Sequence, residues 1–150
     1  LHPGHDFSSR KDNDQSCVLR IDAPGGSVLL TGDIERRAEQ ALLDAGEDLR
    51  VTVLQVPHHG SKTSSGRAFV EAVGPEMALI SAGYRNSFQH PRPEVVARWR
   101  ESGAEVLDTP ACGRIRVRLA DGKAPEVKCI RQGWAWAWRV PVIPAGELDG

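Results

Sequence analysis

The sequence predicts an α/β fold built on a layered sheet of mixed strand direction. Three observations point to it. Two short apolar runs, Val51-Thr52-Val53-Leu54-Gln55-Val56 and Met77-Ala78-Leu79-Ile80-Ser81, have the length of buried strands, and the first is rich in β-branched residues. Residues 34–45 carry apolar side chains at helical spacing and stop at Gly46. Residues 17–21 and 27–30 flank Pro24-Gly25-Gly26, which reads as an antiparallel hairpin turning on glycine.

In chain order, residues 1–16 are polar and charged and read as a loop or linker. The hairpin follows, then the helix, with Ile34, Ala38, Ala41, Leu42 and Ala45 near one face. After strand 51–56 comes a His-His-Gly loop and a short helix over 67–73, which Ser64 or Ser65 is placed to cap. Strand 77–81 ends in Ala82-Gly83 and a polar loop to His90, and Pro91 and Pro93 introduce a helix over 94–102. Residues 105–108, 115–119 and 127–130 complete the strands, the last two as a hairpin over Asp121-Gly122. The expected division is 1–16 as lead-in, 17–131 as the folded body and 132–150 as a tryptophan-rich strand and tail.

Composition excludes several classes. With 150 residues, 40% hydrophobic and 26% charged, one globular domain is expected. No run approaches the length of a membrane span, and no basic start precedes an apolar stretch. A first residue other than methionine suggests a piece of something longer. Three cysteines, at 17, 112 and 129, without CxxC spacing, suggest small buried residues in a reducing compartment rather than a disulfide scaffold or a thiolate zinc site. The net charge of −1 hides an acidic first half and a basic stretch after residue 84, which reads first as a solvated surface and second as a phosphate-facing one.

The chemistry concentrates at two strand ends. Leu30-Thr31-Gly32-Asp33 ends one strand and Val56-Pro57-His58-His59-Gly60-Ser61 the next, one helix apart, so a carboxylate and an imidazole can be aimed at one point. Carboxylate oxygen and neutral imidazole suit Zn²⁺ or Mn²⁺.

The order Asn13-Asp14-Gln15-Ser16, Leu30-Thr31-Gly32-Asp33, Pro57-His58-His59-Gly60-Ser61, Ser81-Ala82-Gly83, then Asn86 and His90-Pro91 resembles the carboxy-terminal domain of the ComEC family of competence DNA-uptake proteins, a branch of the metallo-β-lactamase superfamily. The resemblance covers residues 1–131. It implies an αββα sandwich to which this chain contributes mainly the second half, since the superfamily's first metal motif, HxHxDH, has no counterpart in these 150 residues. His2-Pro3-Gly4-His5-Asp6 has the wrong spacing and reads as linker.

Carried over on matching positions, Asp33 corresponds to the metal-bridging aspartate of a two-metal Zn or Mn site. One of His58 and His59 corresponds to a late histidine ligand: His59 is taken as the ligand and His58 as the catalytic imidazole, facing phosphate or donating a proton. The alternative is that both only hydrogen-bond within their loop. Ser61 and Lys62 are candidate phosphate contacts, or plain loop residues, and His90 either approaches the same sheet edge or belongs to a polar turn. Asn13 stands near where many members have a further histidine ligand, which weakens any second metal site. Trp134, Trp136 and Trp138 alternate with alanine and suggest either base stacking or, more simply, an apolar stripe.

The function implied is metal-dependent hydrolysis of DNA phosphodiesters, degrading the strand that is not imported, by part of a protein in the bacterial inner membrane. The expected partners are DNA, the membrane channel of the parent protein and a second copy of the chain through an uncovered sheet face. Alternatives are a non-catalytic DNA-guiding module and a sibling hydrolase of small phosphodiesters.

Overall fold

The computed structural model describes residues 1–4, 7–9 and 11–131. The tryptophan stripe and the tail over 132–150 lie outside the described residues. Seven strands and four α-helices are described: β1 (Leu19–Ala23), β2 (Gly26–Leu30), α1 (Arg36–Asp44), β3 (Val53–Gln55), α2 (Arg67–Val73), β4 (Met77–Ile80), α3 (Pro93–Glu101), β5 (Glu105–Asp108), α4 (Thr109–Cys112), β6 (Ile115–Arg118) and β7 (Glu126–Cys129). Strands β1 to β5 form one sheet in chain order, β1 antiparallel to β2 and the rest parallel, as the mixed-sheet reading expects. The β6–β7 hairpin is a separate two-stranded sheet.

The two faces of the large sheet differ. Pairing puts Leu29, Leu54, Ala78 and Val106 in one row. The first three are fully buried with Ile34, Leu42, Phe69, Val95 and Trp99 of the α1, α2 and α3 regions, and Val106 packs against that cluster. The opposite face carries Leu19, Ile21 and Leu30, all exposed, with Leu79 and Leu107 partly so. Helices therefore cover one face; on the other, Val53 and Met77 are buried, and among the described residues Leu19, Ile21 and Leu30 leave an apolar strip exposed at the β1–β2 edge, where half a sandwich would meet its other half.

Several local expectations need correction. Helix α1 starts at Arg36, because the Glu35 amide is held by Asp14 Oδ1 at 2.9 Å and Glu35 stays extended at φ −111°. Neither Ser64 nor Ser65 caps α2; its N-cap is Gly66, and the Ser65 and Gly66 amides donate to the buried Glu39 carboxylate of α1, the latter at 2.8 Å. Ser65 also accepts from the Trp99 indole at 3.2 Å and, through its carbonyl, from Arg98, so one loop residue ties three helices together. Helix α4 is an unexpected turn capped by Asp108, which accepts the Ala111 amide at 2.7 Å. The lead-in is also more ordered than a loop, with His2 buried, bridged to Val18 and bonded to the Asp14 carbonyl at 2.8 Å.

The cysteine reading is overturned. Cys112 and Cys129 form a disulfide across 17 residues, with Cα atoms 4.7 Å apart, and only Cys17 among the described cysteines is free. The bond fastens the end of β7 to α4, and hence to β5. Closing a loop of this length is worth about 3 kcal/mol through the unfolded chain. We expect protein refolded in a glutathione redox buffer and then unfolded without reductant to alkylate at one cysteine, and reduction to lower its unfolding free energy by about 2–4 kcal/mol. Alkylation at all three positions before reduction would show that the bond does not form.

Candidate metal centre

The site is assembled where β2 and β3 end side by side. The Gln55 side chain joins the two ends: its Oε1 accepts the Thr31 and Gly32 amides, both at 3.0 Å, while its amide donates to the Val56 carbonyl at 2.8 Å. Thr31 Oγ1 donates to the Gln55 carbonyl at 2.8 Å, and the His58 amide to the Gly32 carbonyl at 3.1 Å. The turn bearing Asp33 and the turn bearing the histidines are thus hydrogen-bonded to each other before either side chain does any chemistry.

The histidine turn is left-handed. His58 (φ 48°), His59 (φ 55°) and Gly60 (φ 79°) have positive φ in succession, a conformation costing roughly 1–2 kcal/mol for each non-glycine residue. Surrounding contacts hold it: Ser64 Oγ donates to the Pro57 and Ser61 carbonyls at 3.0 Å, and the Arg92 amide to the Gly60 carbonyl at 2.9 Å. Gly60 is also required sterically, because a Cβ there would lie 2.8 Å from the Pro91 ring.

The two imidazoles part company, with ring centroids 6.4 Å apart. His59 is half exposed. Its Nδ1 faces the Ser81 carbonyl at 2.6 Å, an acceptor, so Nδ1 carries the proton and the Nε2 lone pair is free. That Nε2 lies 3.5 Å from Asp33 Oδ1, long for a hydrogen bond. Two donors on one tetrahedral metal with bonds of about 2.0–2.2 Å stand roughly 3.3–3.6 Å apart, so this separation fits neighbouring corners of a coordination shell. Among the described residues no group of three or more His, Cys, Asp or Glu side chains gathers tightly enough to complete a shell. Asp33 and His59 are thus two side chains whose donor atoms and spacing could share one metal ion.

His58 faces the other way. Its Nε2 is 3.4 Å from the Asn13 side-chain nitrogen, and its Nδ1 lies 3.3 Å from Thr63 Oγ1 and 3.5 Å from Glu35 Oε1. Burial opposes ionisation of Glu35, but bonds from Lys11, Thr63 and Asn13 outweigh it and hold the carboxyl below its ordinary value. A carboxylate beside Nδ1 orients the ring.

His90 reaches the same group, its ring centroid 5.9 Å from that of His58. Burial, with His58, Arg92 and His59 nearby, keeps its imidazole below the ordinary value. Ser61 is buried, its hydroxyl 3.1 Å from Thr63 Oγ1 and thus engaged in building the loop, and Lys62 is exposed. A pocket of ≈ 270 Å³ lies on the His59 side, lined also by Gly83, Asn86, Phe88 and His90. A larger one of ≈ 560 Å³, lined by Lys11, Glu35, Arg36, Arg37 and Thr63, lies on the Glu35 side.

Sequence reasoning missed Glu35 and Gln55. Glu35 falls within the predicted helix over 34–45 and Gln55 within the predicted strand over 51–56; neither has a motif, and their parts follow from contacts more than twenty residues away in the chain.

Residues 11–84 match the metallo-beta-lactamase superfamily. Over 126 residues the chain is 40% identical to competence protein ComA of Neisseria gonorrhoeae, covering 82% of this chain and 18% of that protein. It is 38% identical to ComE operon protein 3 of Bacillus subtilis over 106 residues, 71% of this chain and 14% of that one. Recombination protein 2 of Haemophilus influenzae is 40% identical over 115 residues, 77% and 14% respectively. The chain spans less than a fifth of the length of these relatives.

Proposed function

Because the chain belongs to the metallo-β-lactamase superfamily, in its ComEC-like competence branch, we propose that it supplies the second half of a metal-dependent phosphodiesterase that acts on DNA at a membrane uptake channel. The supporting observation is the facing pair Asp33 and His59, 3.5 Å apart, with the His59 tautomer set by the Ser81 carbonyl. Asp33 and His59 would hold the metal, Zn²⁺ or Mn²⁺ by donor chemistry, and the bound ion would lower the pKa of water and offset phosphate charge.

The chain's own residues do the rest. Gln55 keeps the two ligand turns in register. Glu35 and Thr63 orient His58, whose ring is placed to act as proton donor to a leaving oxygen. Lys62 and His90 remain candidate phosphate contacts, and the exposed strip of Leu19, Ile21 and Leu30 is where the half bearing the first metal motif would pack. With that half lacking, the same face would favour self-association. The disulfide supports a place in an oxidising compartment, which for a bacterial inner-membrane protein is the outer side. Among the described residues no helix is long and apolar enough to cross a membrane, so anchorage is assigned to other parts of the parent protein.

The test joins this chain to the superfamily's first metal motif and follows cleavage of labelled DNA with added Zn²⁺ or Mn²⁺. Cleavage should need metal and fall at least 100-fold in Asp33→Asn, in line with loss of a metal ligand's contribution. Turnover that survives both chelator and Asp33→Asn refutes the reading. DNA binding without any turnover would favour the guiding module instead.

A further inference from the structure

The loop between β4 and α3 holds an aromatic ring in a position that packing does not explain. Phe88 is 71% exposed, the most exposed large hydrophobic residue among those described. One face of its ring stacks on His90, with centroids 5.9 Å apart and planes 18° from parallel. The loop does not present it by accident of mobility, because Asn86 fastens the turn from inside: its amide donates to the Gly83 carbonyl at 2.8 Å and to the His90 carbonyl, and its Oδ1 accepts the His90 amide at 3.0 Å. The ring lines the ≈ 270 Å³ pocket whose other wall includes His59. Charge is complementary to a polyanion at this edge: Arg85 lies 5.2 Å from the ring of Tyr84, itself 46% exposed, and Arg92 is partly exposed beyond His90.

We propose that the open side of Phe88 is a stacking platform for an unpaired base of single-stranded DNA, seated in the pocket beside His59 while the backbone runs towards the Asp33–His59 pair. The proposal rests on the reading of the site as a DNA phosphodiesterase, and adds to it a substrate form. A flat ring already stacked on an imidazole, fixed by a locked turn, offers a base a face at little ordering cost, and any base has a face to give. A base held in a duplex has neither face free. The platform therefore selects unpaired strand over duplex, whatever the sequence.

The test measures binding alone, in EDTA, by fluorescence anisotropy of a short labelled single strand of mixed sequence, of the same strand with abasic sites throughout its interior, and of the matching duplex. Phe88→Ala is expected to weaken single-strand binding by about 10–100-fold, the usual worth of one stacked base, and Phe88→Trp to restore it. The abasic strand and the duplex should bind the unaltered chain several-fold more weakly than the intact single strand. Since Phe88 is exposed, its replacement should leave the melting temperature unchanged, which is checked by circular dichroism. Equal affinity of Phe88→Ala, or of the abasic strand, overturns the proposal, as does failure of the unaltered chain to bind. Because no metal is present, these outcomes are independent of whether cleavage occurs, so platform and phosphodiesterase can fail separately.

Discussion

Glu39→Ala is expected to cost about 3–5 kcal/mol of folding stability, lowering the melting temperature by roughly 6–20 °C. Glu39 is 2% exposed, and its two carboxylate oxygens take the Ser65 and Gly66 amides just before α2, with Arg36 at 3.9 Å. Alanine leaves two buried donors unpaired and a void between α1 and α2. Burial pushes the Glu39 carboxyl above its ordinary value of 4.5, against the pull of the Gly66 and Ser65 amides and of Arg36 and Arg98. A carboxyl whose folded value exceeds its unfolded one contributes stability that is full below the unfolded value and lost as pH rises through the folded value. Urea unfolding between pH 4 and 8 should therefore show a component declining upward from about 4.5 in the native chain and absent in Glu39→Gln. A loss under 1 kcal/mol in Glu39→Ala would mean that water takes over both amides.

The second large effect separates neighbouring histidines. In the chain joined to the first metal motif, His59→Ala should strip metal, since its free Nε2 faces Asp33, whereas His58→Ala should keep the metal and lower turnover by roughly 10²–10⁴-fold. Metal analysis alongside cleavage rates distinguishes them. Loss of metal from His58→Ala with retention in His59→Ala would exchange the roles. Equal loss from both would make both ligands.

Much of this arrangement could be read from residue order. The apolar runs at 51–56 and 77–81, the hairpin glycines and the gap between Thr31-Gly32-Asp33 and His58-His59 are local signals, and local signals place strand ends well. The left-handed backbone at His58 and His59 has no such signal, because neither residue favours it; it is imposed by Ser64, Pro91 and Arg92 from elsewhere. Glu35 and Gln55 were hidden for the same reason. The Cys112–Cys129 bond escaped because its spacing matches no motif, and pairing depends on how α4 turns the chain after β5, a four-residue element too short to show a period. The separation of β6–β7 into its own sheet likewise follows from where strands pair rather than from their composition.

The locked histidine turn also has a consequence for how the protein is made. A ribosome releases Asp33 and His59 well before Pro91 and Arg92, yet the Pro91 ring and the Arg92 amide that close on Gly60 are part of what keeps the turn left-handed. Until the loop ahead of α3 has left the exit tunnel and folded back, only the Ser64 hydroxyl and the His58 amide bond to Gly32 oppose relaxation of His58 and His59 to ordinary right-handed or extended conformations. On the proposal that Asp33 and His59 hold a metal, loading would be a late event that belongs to the finished fold rather than to the growing chain.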